Sequence, residues 1–87
     1  TCKAIVVKKD GVKLGNHYHK EKDEIFYVLK GGGYVTLEDN FGSKKDFVME
    51  GDIVFAPKET KHIFELEEGT ILLEAGTKPF DEKDDYS

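Results

Sequence analysis

GNHYHKEKDEIFYVLKGGG (residues 15–33) holds two histidines one residue apart, a charged turn, a glutamate that opens a run of β-formers, and three closing glycines. In an extended chain successive side chains alternate faces, so His17 and His19 would share a side with Cα atoms roughly 6.7 Å apart. Two imidazoles can then converge on one ion. EIFYVLK (24–30) is rich in β-branched and aromatic residues, and its alternation places Glu24 on one face with Phe26 and Val28. An inward carboxylate at the mouth of an apolar pocket is costly unless its charge is paired or bound to a cation.

The same pattern continues outward in both directions. Short apolar runs at 4–8, 24–30, 34–39, 46–49, 52–56, 62–66 and 70–75 read as strands. Between them KDG (9–11), GGG (31–33), DNFG (39–42), EGD (50–52), PKET (57–60) and EEG (67–69) carry turn chemistry. No segment shows a 3.6-residue period, so the chain reads as an all-β sandwich or barrel. Residues 1–76 form that body. TKPFDEKDDYS (77–87) loses periodicity, turns acidic and reads as a tail packed on or trailing from it. Both faces of EIFYVL are apolar, with Ile25, Tyr27 and Leu29 opposite Phe26 and Val28; a homodimer interface is the economical cover for the outer one.

Composition narrows the function. Eighty-seven residues make one small domain, which gains from a metal or a partner subunit. The single cysteine, Cys2, excludes an intramolecular disulfide. Eighteen acidic residues against thirteen lysines and no arginine, a net charge of -5, argue against a nucleic-acid surface. No apolar run approaches a membrane span or a signal-peptide core, so a soluble, cytoplasmic protein is expected. A first residue that is Thr rather than Met points to a fragment or domain of a longer protein.

One histidine remains to join an ion at the opening stretch: His62, after the turn PKET, on the same strand face as Phe64 and Leu66. Three imidazoles and a carboxylate (His17, His19, His62, Glu24) suit Mn, Fe, Co, Ni or Zn rather than Ca or Mg. An isolated H-x-H pair in a charged loop is more often solvated than metal-bound. Its framing here is what favours the ion.

Gly11, His17, His19, Glu24 and Gly31 match G-x5-H-x-H-x4-E-x6-G, and Gly51, Pro57 and His62 follow the spacing G-x5-P-x4-H. This framing resembles the cupin family. The second motif departs at Glu59, where the family has glycine, and at Leu66, where it has asparagine. The resemblance spans residues 3–76 and implies a double-stranded β-helix, or jelly-roll barrel, with the metal inside one end and a dimeric assembly. By parity with the ligands, Phe26, Val28, Phe64 and Leu66 are expected to line the pocket, with Tyr34 and Thr36, or else Val35 and Leu37, from the strand between.

Within the family the chain is similar to small cupins of sugar-nucleotide and surface-polysaccharide synthesis. That implies a small sugar-like ligand and a metal-dependent isomerase or epimerase, with Glu59 and Tyr34 as candidate acid–base groups. A non-catalytic, metal-dependent binding or sensor module is the alternative, and an Fe-dependent dioxygenase at the same four ligands a further one.

Overall fold

The computed structural model describes residues 2–17 and 23–76. These form eight strands and no helix: β1 (Cys2–Val6), β2 (Val12–His17), β3 (Glu24–Lys30), β4 (Gly32–Asp39), β5 (Gly42–Met49), β6 (Ile53–Ala56), β7 (Lys61–Leu66) and β8 (Ile71–Gly76). They build two four-stranded antiparallel sheets, ordered β1-β8-β3-β6 and β2-β7-β4-β5. The all-β jelly roll expected from the sequence is the fold observed. The tail over 77–87, with Phe80 and Tyr86, lies outside the described residues.

Period-two alternation places the core. Phe26 and Val28 on β3 and Leu72 on β8 meet Phe64 and Leu66 on β7 and Val35 on β4, all nearly sealed from solvent, while Ile25, Tyr27 and Leu29 face outward. Burying a Leu, Val or Phe side chain contributes about 1.5–3 kcal/mol each, so this interdigitated layer is the main adhesive between the sheets.

Three of the differences from the sequence reading have a clear physical reason. β2 (VKLGNH) joins β7 although it offers little apolar alternation; its pairing is shifted between Gly15 and His17. β5 starts at Gly42 because its polar first half pairs with β4 as the exposed arm of a hairpin. GGG is only partly a turn. Gly31 has φ +82°, but Gly32 and Gly33 already belong to β4. A Cβ on Gly32 would collide with the Val48 carbonyl oxygen, and one on Gly33 with that of Glu65. Here glycine lets the flanking backbones pass close by.

The PKET turn is closed by the Thr60 N–H donating to the Pro57 carbonyl (3.1 Å). Within it Glu59 has φ +66°, a left-handed conformation that strains any residue with a Cβ. This is the position where the resembling motif carries glycine. The Lys58 N–H donates to Asp23 Oδ1 at 2.8 Å, tying the turn before β7 to the residue before β3. Those two strand starts carry His62 and Glu24.

Candidate functional site

Glu24 opens β3 in one sheet and His62 lies second in β7 of the other, and both side chains point between the sheets. Glu24 Oε1 is 3.5 Å from His62 Nε2, with the side chains 4% and 3% exposed. The imidazole packs against Phe26, ring centroids 5.1 Å apart, and more distantly against Phe64 at 6.3 Å; the two phenylalanines meet edge to face at 4.8 Å. An acid and a base are thus held together above an aromatic floor that excludes water. Low dielectric strengthens their mutual interaction and raises the cost of losing either one.

Of the other expected ligands, His17 ends β2 directly opposite His62 in the strand register, and the placement of its side chain is outside the described residues. His19 is outside them altogether. Among the described residues no three His, Cys, Asp or Glu side chains gather as a metal-binding group. The donor chemistry of the described pair nevertheless fits an ion. Carboxylate oxygen and imidazole nitrogen bind transition metals at about 2.0–2.2 Å, so donors 3.5 Å apart are close enough to share one.

His62 also borders a half-open cavity of about 270 Å³ between the sheets. Ile5, Leu14, Phe26, Phe64 and Leu72 give it an apolar wall. Among the described residues its other polar groups are Lys3 on β1 and Glu74 on β8, which escaped the sequence reading. In ILLEAG three apolar residues in succession hide which parity faces inward, so Glu74 carried no signal until Leu72 was seen to be buried.

The other expected pocket residues are distributed differently. Phe26 and Phe64 border the cavity, whereas Val28 and Leu66 lie sealed in the core and are not part of its wall. For β4, Val35 is buried and Leu37 packs against the core, which turns Tyr34 and Thr36 to the opposite, outer face. Tyr34 therefore lies outside the wall of the cavity that His62 borders. It is 48% exposed, its ring meets Phe47 at 5.6 Å, and Lys45 Nζ lies 5.1 Å from its centroid. It borders a larger cavity, about 640 Å³, along Gly31–Gly33, Met49 and Glu67 on that outer face. Glu59 is exposed on its turn and borders neither cavity. No helix of the described residues is long and apolar enough to cross a membrane.

Comparison with known proteins places this geometry in context. The family described as Cupin domain matches residues 4–76. An uncharacterised protein of Aquifex aeolicus is 42% identical over 69 residues, covering 78% of this chain and 54% of the relative. One from Methanocaldococcus jannaschii is 36% identical over 55 residues, covering 63% and 41% respectively. The chain thus spans about half the length of the curated relatives it matches. Among solved structures, the sugar 3,4-ketoisomerase QdtA from Thermoanaerobacterium thermosaccharolyticum, in complex with TDP, superposes with a TM-score of 0.87 at 20% identity, over 98% of this chain and 64% of that one. The TDP-fucose-3,4-ketoisomerase WlaRA from Campylobacter jejuni gives 0.86 at 19%, over 98% and 64%. The capsular polysaccharide assembling protein CapF from Staphylococcus aureus gives 0.80 at 22%, over 98% and 25%. At these identities the structural likeness establishes the fold.

Proposed function

The chain belongs to the cupin family, and on that premise we propose that it holds one divalent transition metal through His17, His19, Glu24 and His62, beside a cavity for a small polyhydroxy, sugar-like ligand. The observation that carries this reading is the buried Glu24–His62 pair, 3.5 Å apart, with His62 also in the cavity wall. Binding site and ligand space then share a residue.

When bound, a divalent ion supplies Lewis-acid polarisation of a ligand oxygen. The protein's own residues do the rest. Glu24 and His62 offer donors from opposite sheets, Phe26 and Phe64 keep water from beneath them, and Ile5, Leu14 and Leu72 shape a wall against the carbon skeleton. The reaction class in this reading is isomerisation or epimerisation next to a carbonyl, in which a proton leaves one carbon and is returned to the ligand. The ketoisomerases that share the fold favour that class.

A second reading, a binding module without turnover, is favoured by the two candidate acid–base groups, since Glu59 borders neither cavity and Tyr34 lies on the outer face. Elemental analysis of the isolated protein, beside the His62→Ala variant, tests the metal; a panel of keto-sugars and sugar nucleotides followed for binding and turnover tests the ligand. One equivalent of a transition metal lost in the variant, with turnover, supports the enzyme. Binding without turnover supports the module. Absence of both metal and binding overturns the proposal.

The partner in this reading is a second copy of the chain. Ile25 pairs across strands with Phe55 and with Ala75, and Tyr27 with Ile53 and with Leu73, which makes one uncharged patch on the outer face of the sheet. In a chain of net charge -5, an uncharged patch is self-complementary about a two-fold axis, whereas the surrounding acidic surface repels itself.

A further inference from the structure

The larger cavity, about 640 Å³, lies on the outer face of the β2-β7-β4-β5 sheet, and His62 takes no part in its wall. It is a trough that crosses the strands. Met49 at the end of β5 stands opposite Gly32 of β4. The Glu67 N–H donates to the Gly32 carbonyl at 3.0 Å, and the Gly11 N–H to the adjoining Leu66 carbonyl at 3.2 Å. Met49, Gly32, Glu67 and Gly11 therefore follow one another over three strand spacings, about 14 Å, and Gly31–Gly33 line the trough with bare backbone. Near Met49 it is apolar: Tyr34 and Phe47 meet edge to face at 5.6 Å and are 48% and 60% exposed. Glu65, Glu67 and Asp10 line the rest. The Glu68 N–H donates to Asp10 Oδ1 at 2.6 Å and fixes that carboxylate at the far end.

The chain has thirteen lysines, yet among the described residues none lines this cavity, while three carboxylates do. Those three do not gather as a metal-binding group, so the charge they favour is that of an extended organic cation rather than a bare ion. The same sheet shows how a cation is received there. Lys45 Nζ lies 5.1 Å from the Tyr34 ring centroid and 3.5 Å from Glu65 Oε1, an ammonium between an aromatic face and a carboxylate. Lys45 stands opposite Thr36, whereas Met49 stands opposite Gly32, which puts the lysine on the side of Tyr34 away from the trough. On the trough side, ring and carboxylates repeat the pattern, and no lysine among the described residues fills it.

We propose that this trough docks a segment of a partner protein that carries an apolar residue and, two positions on, an arginine. The apolar side chain packs against Tyr34, Phe47 and Met49, and the guanidinium lies along Glu67 and Asp10. Residues two apart in an extended segment share a face about 6.7 Å apart, and the length of the arginine side chain spans the remainder. A guanidinium stacks flat on a ring and donates two parallel hydrogen bonds to a carboxylate, which a lysine ammonium does not. This chain contains no arginine, so a second copy of it does not supply the group. Its net charge of -5 draws a basic segment toward it.

Titration of the isotope-labelled full chain with acetyl-Leu-Ser-Arg-amide, followed in its backbone amide spectrum, tests this. Saturable shifts are expected at Gly31, Gly32, Gly33 and Tyr34, equally with and without a chelator, because the trough does not depend on the proposed metal. The same peptide with citrulline, which keeps the shape and loses the charge, should bind about tenfold more weakly. Tyr34→Leu keeps an apolar side chain without the ring face and should weaken the arginine peptide about two- to fivefold. Glu67→Gln should weaken it as well and leave the citrulline peptide unchanged. Both side chains are exposed, so the rest of each variant's spectrum should match the wild type. No saturable shift at millimolar arginine peptide overturns the proposal, as does a citrulline peptide that binds equally well. Shifts of the same glycines on dilution of the protein alone would assign the trough to a second copy and overturn it too.

Discussion

Glu24 Oε1 lies 3.5 Å from His62 Nε2, although the two residues come from opposite sheets and are 38 positions apart. The Lys58 N–H to Asp23 Oδ1 bond fixes the strand starts that bring them together, and Phe26 and Phe64 close the space below. Removing the imidazole strips a buried carboxylate of this partner and opens a hole beside two aromatic rings.

His62→Ala is therefore expected to destabilise the fold by about 3–5 kcal/mol, the usual cost of breaking a buried pair from one side. Denaturant titration measures it. A chelator should lower the melting temperature of the wild type, because an ion bound to the folded state alone adds to its stability, and should leave the His62→Ala variant unmoved. Equal melting of the wild type with and without chelator would count against the ion while leaving the pair's structural cost in place.

Glu59 supplies an independent check on backbone strain. Its φ of +66° costs roughly 1–2 kcal/mol for a residue with a Cβ, and glycine removes that strain while adding freedom to the unfolded chain that offsets about 0.4–1 kcal/mol of it. Glu59→Gly is expected to be neutral or mildly stabilising, and Glu59→Val, β-branched in the same conformation, to destabilise. Thermal melting of the two variants side by side reads the difference. A glycine variant that melts far below the wild type would mean that the carboxylate contributes something its exposed position does not suggest.

These two sites also show where the sequence was sufficient. The alternation in EIFYVLK and HIFEL was strong enough to place Glu24 and His62 inward, because each shares a face with two residues that end up buried. Tyr34 and Thr36 were ambiguous because YVTL is apolar or β-branched at every position, so only the neighbouring strands decide which face is inner. Glu74 was hidden for the same reason in ILLEAG. β2 was invisible as a strand because its pairing with β7, rather than its own composition, holds it extended. Periodicity identifies a face only where the two faces differ.

Thr70 makes a testable link between loop and sheet. Fully buried before β8, its hydroxyl accepts from the Gly32 N–H at 3.1 Å and donates to the Gly32 carbonyl at 3.2 Å. Thr70→Val keeps the shape and leaves those backbone groups without that partner, so a loss of about 1–3 kcal/mol is expected, while Thr70→Ser should keep both bonds and lose only a methyl contact. Chemical denaturation of the pair separates the hydrogen bonds from the packing: a valine variant as stable as the serine one would show that the hydroxyl contributes nothing net.

The outer face of the β1-β8-β3-β6 sheet carries the last prediction. Ile25, Tyr27, Ile53 and Phe55 are 44%, 37%, 68% and 52% exposed and adjoin one another through the register of β3 and β6. Exposed apolar surface of this continuity is unfavourable in water and is gained back when a second sheet covers it. Because β6 is a sheet edge, the patch runs to the rim of the molecule, where two copies can approach without meeting a protruding strand. Sedimentation analysis is expected to find a dimer for the wild type and a monomer for Tyr27→Lys and Phe55→Lys, since a two-fold contact sets each new ammonium against an apolar patch and introduces the substitution twice. Both variants point outward in the monomer, so they should keep the wild-type circular dichroism spectrum. A wild type that sediments as a monomer at all accessible concentrations would assign this face to some other cover, and a lysine variant that stays dimeric would move the interface elsewhere.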